Sequence, residues 1–343
     1  MAIITELVVD GYGTFLAKYQ GRLQVKRDKK VVQQAPLMHL EQVIIIGKSV
    51  AISSSALMAC AENGIPVYLL DGRDKPYVSM YSAGLTGTVK TRRAQLRAYD
   101  DGRGVQLAGA MAQAKVKNQA NLLRYLVKNR KESDPPTHQA VSLLALEVEE
   151  QLASIARLAQ SEVTLEAIQE SLLGFEGRAA QRYWKGISLA VKVGEEWPSR
   201  KTRGATDPVN SVLNYGYGML YGQVERALVL AGLDPYAGFI HADRPGKPSL
   251  VLDFVEEFRQ PVVDRAIWAM LNQGTPIKQD DHDMLVDETK KTLIDRIVKR
   301  LDTSASYEGQ RVTLKTIIQR QARHMATFVR GERQNYEGFV MGW

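Results

Sequence analysis

Three carboxylates and one histidine in the second half of the chain have the side-chain types that metal-assisted chemistry requires. Glu176 lies on the apolar side of a helix-spaced segment, where a carboxylate needs a cation or hydrogen-bond donors to compensate its burial. His241 follows an apolar run and begins a loop. Asp253 and Glu256 are three residues apart, so a helix would place both on one side. The four residues are candidates for one reaction centre.

Two of these residues also have a purely structural explanation. Glu176 is as consistent with a salt bridge to Arg178, Arg182 or another arginine as with metal ligation. A single histidine such as His241, placed after an apolar run, is more often a partly buried side chain than a ligand. Neither residue alone identifies a site.

The acidic pair requires a positive partner. Asp253 and Glu256 would repel each other on one side of a helix, so the pair needs either a metal ion or an arginine such as Arg259. Glu257 also lies within one helical turn of Asp253, and the spacing leaves the choice between Glu256 and Glu257 open. One imidazole with two or three carboxylates suits Mn²⁺ or Mg²⁺ better than a thiophilic metal. This donor set indicates phosphoryl-transfer chemistry.

Positive charge is concentrated in one segment. The chain has a formal net charge of +7, and residues 89 to 131 contain eleven basic side chains against two acidic ones, a surplus of nine. The basic residues are Lys90, Arg92, Arg93, Arg97, Arg103, Lys115, Lys117, Arg124, Lys128, Arg130 and Lys131. A solvated helix face is the ordinary explanation. The one-sided charge favours a phosphate-binding face, and the lack of Trp or Phe anchors disfavours a membrane-surface helix.

The elements that must position these residues divide the chain into two parts. Short β-type runs separated by turn residues fill the first 85 residues, with one helix at 53–63. Long segments with helical spacing follow, at 90–130, 138–158, 165–183, 209–231, 262–272, 284–302 and 311–330. We predict an α+β chain, in which a small N-terminal β-sheet domain with one helix (1–87) precedes a larger all-α catalytic domain (88–343).

Several protein classes are disfavoured by the sequence. No apolar run approaches the roughly 18 residues of a membrane span. The first ten residues lack the features of a signal peptide, so we expect a cytoplasmic protein without a membrane partner. Cys60 is the only cysteine, which excludes an internal disulfide framework and a cysteine-based metal site. No phosphate-binding Gly-x-x-x-x-Gly-Lys-Ser/Thr loop is present, and strand transfer would not need one.

Four stretches, taken in order, carry a family resemblance. They are Glu176 with Arg178 and Tyr183-Trp184; Asp207-Pro-Val-Asn210 with Asn214 and Tyr217; Gly238-Phe-Ile-His241; and Ser249-Leu-Val-Leu-Asp-Phe-Val-Glu-Glu-Phe-Arg259. Their order and spacing, together with the order of the two domains, resemble the CRISPR-associated endonuclease that inserts new spacers. The resemblance covers nearly the whole chain.

The resemblance implies a reaction and a ligand set. It implies insertion of spacer DNA into a CRISPR array by 3′-hydroxyl attack on a phosphodiester, with Mn²⁺ or Mg²⁺ as cofactor. In the family, the positions of Glu176, His241 and Glu256 bind the metal and the position of Asp253 supports the site. The resemblance therefore selects Glu256 over Glu257.

The resemblance also implies partners. We expect a homodimer, a small ferredoxin-like CRISPR-associated partner protein, and DNA in the form of the prespacer and the CRISPR repeat. The N-terminal domain is expected to provide the dimer and partner contacts. The candidate DNA-contacting residues are Arg92, Arg93, Lys117, Arg178, Arg182, Arg203, Arg244, Lys247 and Arg259.

Two other functions fit the same residues. A catalytically silent DNA-binding scaffold would pair its carboxylates with arginines and bind DNA without a metal. A general repair nuclease would use the same chemistry on branched DNA outside CRISPR immunity. Metal binding separates the first from an integrase, and a neighbouring repeat array with the small partner gene separates the second.

Overall fold

The chain forms two compact units, Met1–Thr86 and Gly87–Trp343. The computed structural model describes residues 6–40, 42–47, 49–71, 76–81, 88–160, 164–191, 193, 197, 199–202, 204–242 and 244–343. Each unit has its own buried apolar core. Among the described helices, none combines the length and apolarity that crossing a membrane requires.

The first unit contains two four-stranded sheets and one helix. Its elements are β1 (Glu6–Val9), β2 (Thr14–Tyr19), β3 (Arg22–Arg27), β4 (Lys30–Pro36), β5 (Gln42–Ile46), β6 (Val50–Ile52), α1 (Ser54–Glu62), β7 (Val67–Leu70) and β8 (Pro76–Met80). The sheet orders are β1-β5-β7-β8 and β4-β3-β2-β6. The sequence predicted one small sheet. The second sheet was missed because β1 with β5 and β2 with β6 pair in parallel across long connections, which leave no turn signal.

The second unit is mostly helical. Its helices are α2 (Thr88–Tyr99), α3 (Gly102–Val127), α4 (Pro135–Glu149), α5 (Gln151–Ala159), α6 (Leu165–Ala190), α7 (Pro208–Leu230), α8 (Ser249–Phe254), α9 (Arg265–Asn272), α10 (Asp287–Leu301) and α11 (Leu314–Val329). The long helices α3 and α6 pack against each other. The predicted α+β class is confirmed.

The predicted helix at 90–130 is two helices, α2 and α3. The break lies at Asp100 and Asp101, where the Asp101 carboxylate accepts a hydrogen bond of 2.9 Å from the Arg103 amide. An aspartate with an extended backbone is a favourable N-cap, because it satisfies an amide that the first turn leaves without a partner. The break lets α3 take its own direction through the core.

A β-hairpin corrects the prediction of an all-α second domain. Strands β9 (Ser304–Tyr307) and β10 (Gln310–Thr313) pair in antiparallel register. The connecting residues Glu308 and Gly309 both have positive φ, 47° and 74°, as a two-residue hairpin turn requires. Only one of the two turn positions is a glycine, so the sequence gives a weak turn signal between two segments with helical spacing. The hairpin was therefore not predicted.

The segment between α8 and α9 is an irregular helix that presents two glutamates. A 3-10 turn covers Val255–Glu257 and a π-helical turn covers Arg259–Asp264. Pro261 lacks an amide hydrogen and cannot continue an α-helical ladder at this point. The adjacent side chains of Glu256 and Glu257 have different partners, Lys115 and Tyr336 respectively.

We expect the contact between α3 and α5 to tolerate no side chain at Gly109. A Cβ there would lie 2.3 Å from the Ala159 Cβ. Gly109→Ala should therefore lower the free energy of unfolding by about 1–3 kcal/mol. The matched Gly222→Ala in α7, where a Cβ meets nothing within 4 Å, should be neutral or stabilising by up to about 1 kcal/mol. Denaturant unfolding measures both, and equal stability of the two variants would contradict the packing.

Candidate active site

Two glutamates and one lysine from three separate elements meet inside the second unit. The Lys115 ammonium on α3 lies 3.0 Å from Glu176 Oε2 on α6 and 3.1 Å from Glu256 Oε2 in the 3-10 turn. Glu176 and Glu256 are 4% and 3% exposed, and the Lys115 side chain is 12% exposed. The arrangement is a buried ion triad, with one positive charge between two negative ones.

Burial and charge act in opposite directions on this triad. Burial disfavours the charged form of Lys115, but the two carboxylates outweigh burial and raise the lysine pKa. Burial raises the pKa of Glu176. Burial also acts on Glu256, but the adjacent Arg259 and Lys115 outweigh it and lower the pKa of that carboxyl. At neutral pH the lysine is charged, and Glu256 is the carboxylate held most firmly in its ionised form.

Arg259 belongs to the inner surroundings of this triad. Its Nη1 lies 2.9 Å from Glu256 Oε1, and its Nη2 donates to the Tyr221 hydroxyl at 2.7 Å. The guanidinium also lies 4.8 Å from the ring centroid of Tyr217, whose hydroxyl donates to the buried Asp264. Arg259 was predicted to contact DNA; the structure places it against Glu256, with the side chain 23% exposed.

His241 is oriented by Asp253. One oxygen of Asp253 accepts from the His241 amide at 3.0 Å and lies 2.6 Å from His241 Nδ1. The other accepts from the amides of Phe239 and Ile240 at 2.6 and 2.9 Å. The contact fixes Nδ1 toward the Asp253 carboxyl group, so Nε2 is the ring nitrogen on the side away from that group. Asp253 and Glu256, expected on one side of a helix, therefore bind different partners.

Glu257 faces away from Glu176. Its carboxylate accepts from the Tyr336 hydroxyl at 2.6 Å, the Phe339 amide at 2.7 Å and the Gln321 side-chain amide at 3.0 Å. Burial raises its pKa to about 7. The geometry thus separates the two glutamates that spacing alone left equivalent: Glu256 faces the triad, and Glu257 anchors the segment near the C-terminal end.

The donor chemistry at the triad fits a divalent cation. Glu176 Oε1 is buried and has no hydrogen-bond partner, and Glu256 Oε2 forms no hydrogen bond of good geometry despite its short distance to Lys115. In the described part of the chain, no group of three or more His, Cys, Asp or Glu side chains is close enough to hold an ion. The Lys115 ammonium lies between the two glutamates. A metal ion bound by both carboxylates would have to replace the ammonium at that position.

The positive segment does not form one free face. Lys115 is bound in the triad, Arg103 pairs with Asp101, and Arg124 pairs with Glu149. Helix α2 presents the exposed Arg92 and Arg93. Lys115, Arg103 and Arg124 thus have carboxylate partners within the protein, and the phosphate-binding face stays a prediction for the rest of the segment.

The remaining predicted DNA contacts have different surroundings. Lys117 and Arg244 are exposed, and Lys247 is half-buried. Arg178 donates to Gln151, and Arg182 pairs with Glu147, so neither of them is the partner of Glu176 that a structural salt bridge would require. Arg203 lies outside the described residues.

Lys115 is the site residue that the sequence prediction missed. It was counted only as part of the basic segment. Its signal is its register on α3, where it follows the buried Met111 and Ala112 by four and three residues and so shares the core-facing stripe. A lysine on such a stripe requires an anionic partner, and the two glutamates provide it.

The hydrogen bonds that the Asp253 carboxyl group accepts from the 239–241 backbone should contribute strongly to stability. Asp253→Asn keeps the shape but turns one acceptor into a donor that faces an amide hydrogen, which should cost about 2–3 kcal/mol. Asp295→Asn on the exposed side of α10 removes the same charge and should change stability by less than about 0.5 kcal/mol. Thermal unfolding of both variants measures the difference. If the Asp253→Asn protein were as stable as the Asp295→Asn protein, the hydrogen bonds of Asp253 would not contribute to stability as expected.

Comparison with known proteins identifies the family. The family model described as CRISPR associated protein Cas1 matches residues 7–299. A "CRISPR-associated endonuclease Cas1 1" of Archaeoglobus fulgidus is 38% identical, and the alignment covers 98% of this chain and 99% of the relative. A protein of the same description from Francisella tularensis subsp. novicida is 33% identical, with the same two coverages, 98% and 99%.

Solved structures show the same fold. A casposase bound to integration product has a TM-score of 0.81 at 22% identity, covering 97% of this chain and 93% of that chain. A CAS1 protein from Thermotoga maritima has a TM-score of 0.75 at 18% identity, covering 98% and 99%. A Cas6-RT-Cas1–Cas2 complex has a TM-score of 0.75 at 21% identity, covering 99% of this chain and 37% of that chain. With the family match over most of its length and near-complete alignment to relatives above 30% identity, the chain belongs to the Cas1 family of CRISPR-associated proteins.

Proposed function

We propose that this protein is a divalent-metal-dependent DNA endonuclease and integrase that inserts spacer DNA into a CRISPR array. The observation that carries the proposal is the pair of buried glutamates, Glu176 and Glu256, held on one cation. Charged groups at this depth are poor sources of stability and are common at reaction centres. The names of the relatives, CRISPR-associated endonucleases, support the same activity.

Glu176, Glu256 and His241 Nε2 would hold the Mn²⁺ or Mg²⁺. When bound, such an ion neutralises phosphate charge and favours deprotonation of an attacking water or 3′-hydroxyl. Asp253 keeps the His241 ring oriented through Nδ1, a usual arrangement for a histidine ligand. Arg259 holds Glu256 from the opposite side and keeps it ionised.

Lys115 has a second role in this proposal. In the structure its ammonium balances the two carboxylates. With a divalent ion held by the two glutamates, the Lys115 ammonium would no longer be needed as their counter-charge, and its flexible stem would allow it to contact the reacting phosphate instead. Strand transfer exchanges one phosphodiester for another, so positioning and charge are the main tasks of these side chains.

The proposed partners follow from the family. We propose that the protein acts on prespacer and repeat DNA as a homodimer together with a small ferredoxin-like CRISPR partner, with contacts through the first unit. The complex with Cas2 among the structural relatives and the casposase bound to integration product support the DNA substrate and the CRISPR-associated partner.

A silent DNA-binding scaffold remains the competing function, because Glu256 contacts both Arg259 and Lys115 and is fully charge-paired without an ion. It predicts DNA binding that does not respond to a divalent metal. Calorimetry with Mn²⁺ separates the two functions directly.

We expect neighbouring glutamates to give opposite results. Glu256→Gln should abolish Mn²⁺ binding in calorimetry and reduce strand transfer by at least about a hundredfold, the order of a lost catalytic group. Glu257→Gln makes the same chemical change one residue away and should keep Mn²⁺ binding, while the altered contact with Tyr336 lowers stability. Full metal-dependent joining by Glu256→Gln, with a supercoiled target and duplexes bearing 3′-hydroxyl ends, would show that the assignment is wrong.

We expect Lys115→Met to raise the affinity for Mn²⁺ by about tenfold, because the competing charge between the glutamates is removed. The matched control is Lys117→Met, which removes an exposed lysine two residues further along α3. Calorimetry without DNA measures both, and strand transfer by Lys115→Met should nevertheless fall. An unchanged or weaker Mn²⁺ affinity in Lys115→Met would contradict competition at this position.

A further inference from the structure

Three cations surround two aromatic rings at a second place on the helical unit. Lys128 Nζ lies 4.3 Å from the centroid of the Tyr125 ring, and the Arg265 guanidinium lies 4.6 Å from the same ring. The Arg300 guanidinium lies 5.1 Å from the Trp343 ring, and the two rings are 4.9 Å apart. These five residues are called the aromatic-cation cluster below.

The cluster has positive charge without a matching carboxylate. In the region that the structure describes, none of its three cations forms an ion pair with an aspartate or a glutamate. Arg265 donates to the Tyr125 hydroxyl at 2.6 Å, and Arg300 Nε donates to the Pro261 carbonyl at 2.7 Å. Both acceptors are neutral, so these hydrogen bonds give neither guanidinium an anionic partner.

Two buried donors in the cluster also lack an acceptor. Arg300 Nη2 and Trp343 Nε1 are buried and have no hydrogen-bond partner. Burial, and then the neighbouring Arg265, lower the pKa of Arg300 to about 10. Two repelling guanidinium groups beside unmatched donors are unfavourable unless an anion binds there, because buried donors are normally satisfied. Phosphate supplies both the negative charge and several acceptors.

We propose that the aromatic-cation cluster binds a backbone phosphate of the DNA, outside the reacting position. The inference rests on the proposed function, because it takes DNA as the substrate. Tyr125 lies ten residues beyond Lys115 on α3, which corresponds to about 15 Å along the helix axis and roughly a quarter-turn around it. A phosphate held there would fix the strand relative to the triad.

A strand fits the cluster better than a small enclosed anion. Lys128 is exposed, while Arg265 and Arg300 are half-buried, so the cations extend from the interior to the surface. Contacts of this kind position a backbone without reading its sequence. The cluster was not among the predicted DNA contacts, because Arg265 and Arg300 lie in separate helices and the sequence does not show that they meet.

The first test measures DNA binding by three variants, Arg265→Gln, Arg300→Gln and Lys128→Gln. The probe is a fluorescent duplex with single-stranded 3′ ends. At about 0.1 M salt each arginine variant should bind about tenfold more weakly, and the slope of log K against log salt should fall by about 0.7–0.9 per lost contact. Arg157→Gln is the charge-matched control and should bind as the wild type does, because Arg157 is an exposed residue of α5 that donates a hydrogen bond to Ser154.

The second test determines which phosphate of the DNA the arginines contact. A series of probes carries a single neutral methylphosphonate at successive positions. Wild-type affinity should fall at one position, and Arg265→Gln should be insensitive at that same position. Thermal unfolding midpoints establish that each variant is folded. If Arg300→Gln fails to fold, Lys128→Gln replaces it in the same measurement. Lys128 is exposed, so its substitution should not affect folding.

The outcomes are distinct. Wild-type affinity and salt dependence in all three folded variants would overturn the inference and leave the integrase proposal intact. A wild-type protein that binds no DNA would overturn both. Inorganic phosphate that raises the unfolding midpoint of the wild type and not of Arg300→Gln, with equal DNA affinity in both proteins, would overturn the inference in favour of a small-anion site.

Discussion

The structure of the helical unit depends on one buried ammonium between two carboxylates. Lys115 joins α3 to α6 and to the 3-10 turn that follows α8. Without the ammonium, Glu176 would be a buried carboxylate beside Glu256, which would keep Arg259 as its own cation, and a buried charge that loses its partner costs several kcal/mol by order of magnitude. The triad therefore sets the relative position of three elements, and these elements carry most of the candidate site.

Such a triad is a costly way to stabilise a protein. Well-packed apolar side chains of similar volume usually stabilise a core at least as well as a buried ion pair does. The unpaired oxygen of Glu176 reinforces this point, because it gains nothing from burial in the structure as it stands. The proposed metal site would explain the arrangement, with the lysine as the cation that balances the two carboxylates in this structure.

Much of the fold could be predicted from local pattern. Alternation and turn residues located most strands of the first unit, and helical spacing located most helices of the second. The N-cap at Asp101 was missed because it depends on one residue within a longer segment whose spacing remains helical. The hairpin was missed because its turn lies in a short stretch between two predicted helices, where Gly309 is the one glycine. The parallel strand pairs were missed because the sequence records no contact between distant segments.

For the candidate site too, the sequence indicated which residues belong to it and did not indicate which of them contact each other. The sequence identified Glu176, His241 and the acidic pair as a set, and the family resemblance selected Glu256. It could not show that Asp253 and Glu256 have different partners, since this follows from the tertiary position of the 238–241 loop and the irregular turns before Pro261.

Glu256 and Glu257 show how a single backbone irregularity can couple two regions. Adjacent residues in the 3-10 turn bind the triad on one side and the 336–339 segment on the other. Asn118 on α3 extends this second anchor, since its side-chain amide donates to the carbonyls of Glu257 and Phe339. A displacement of the 336–339 segment would therefore reach Glu256 through one peptide bond. The irregular helix is thus part of the proposed site, because its two adjacent glutamates tie a proposed ligand to the C-terminal segment.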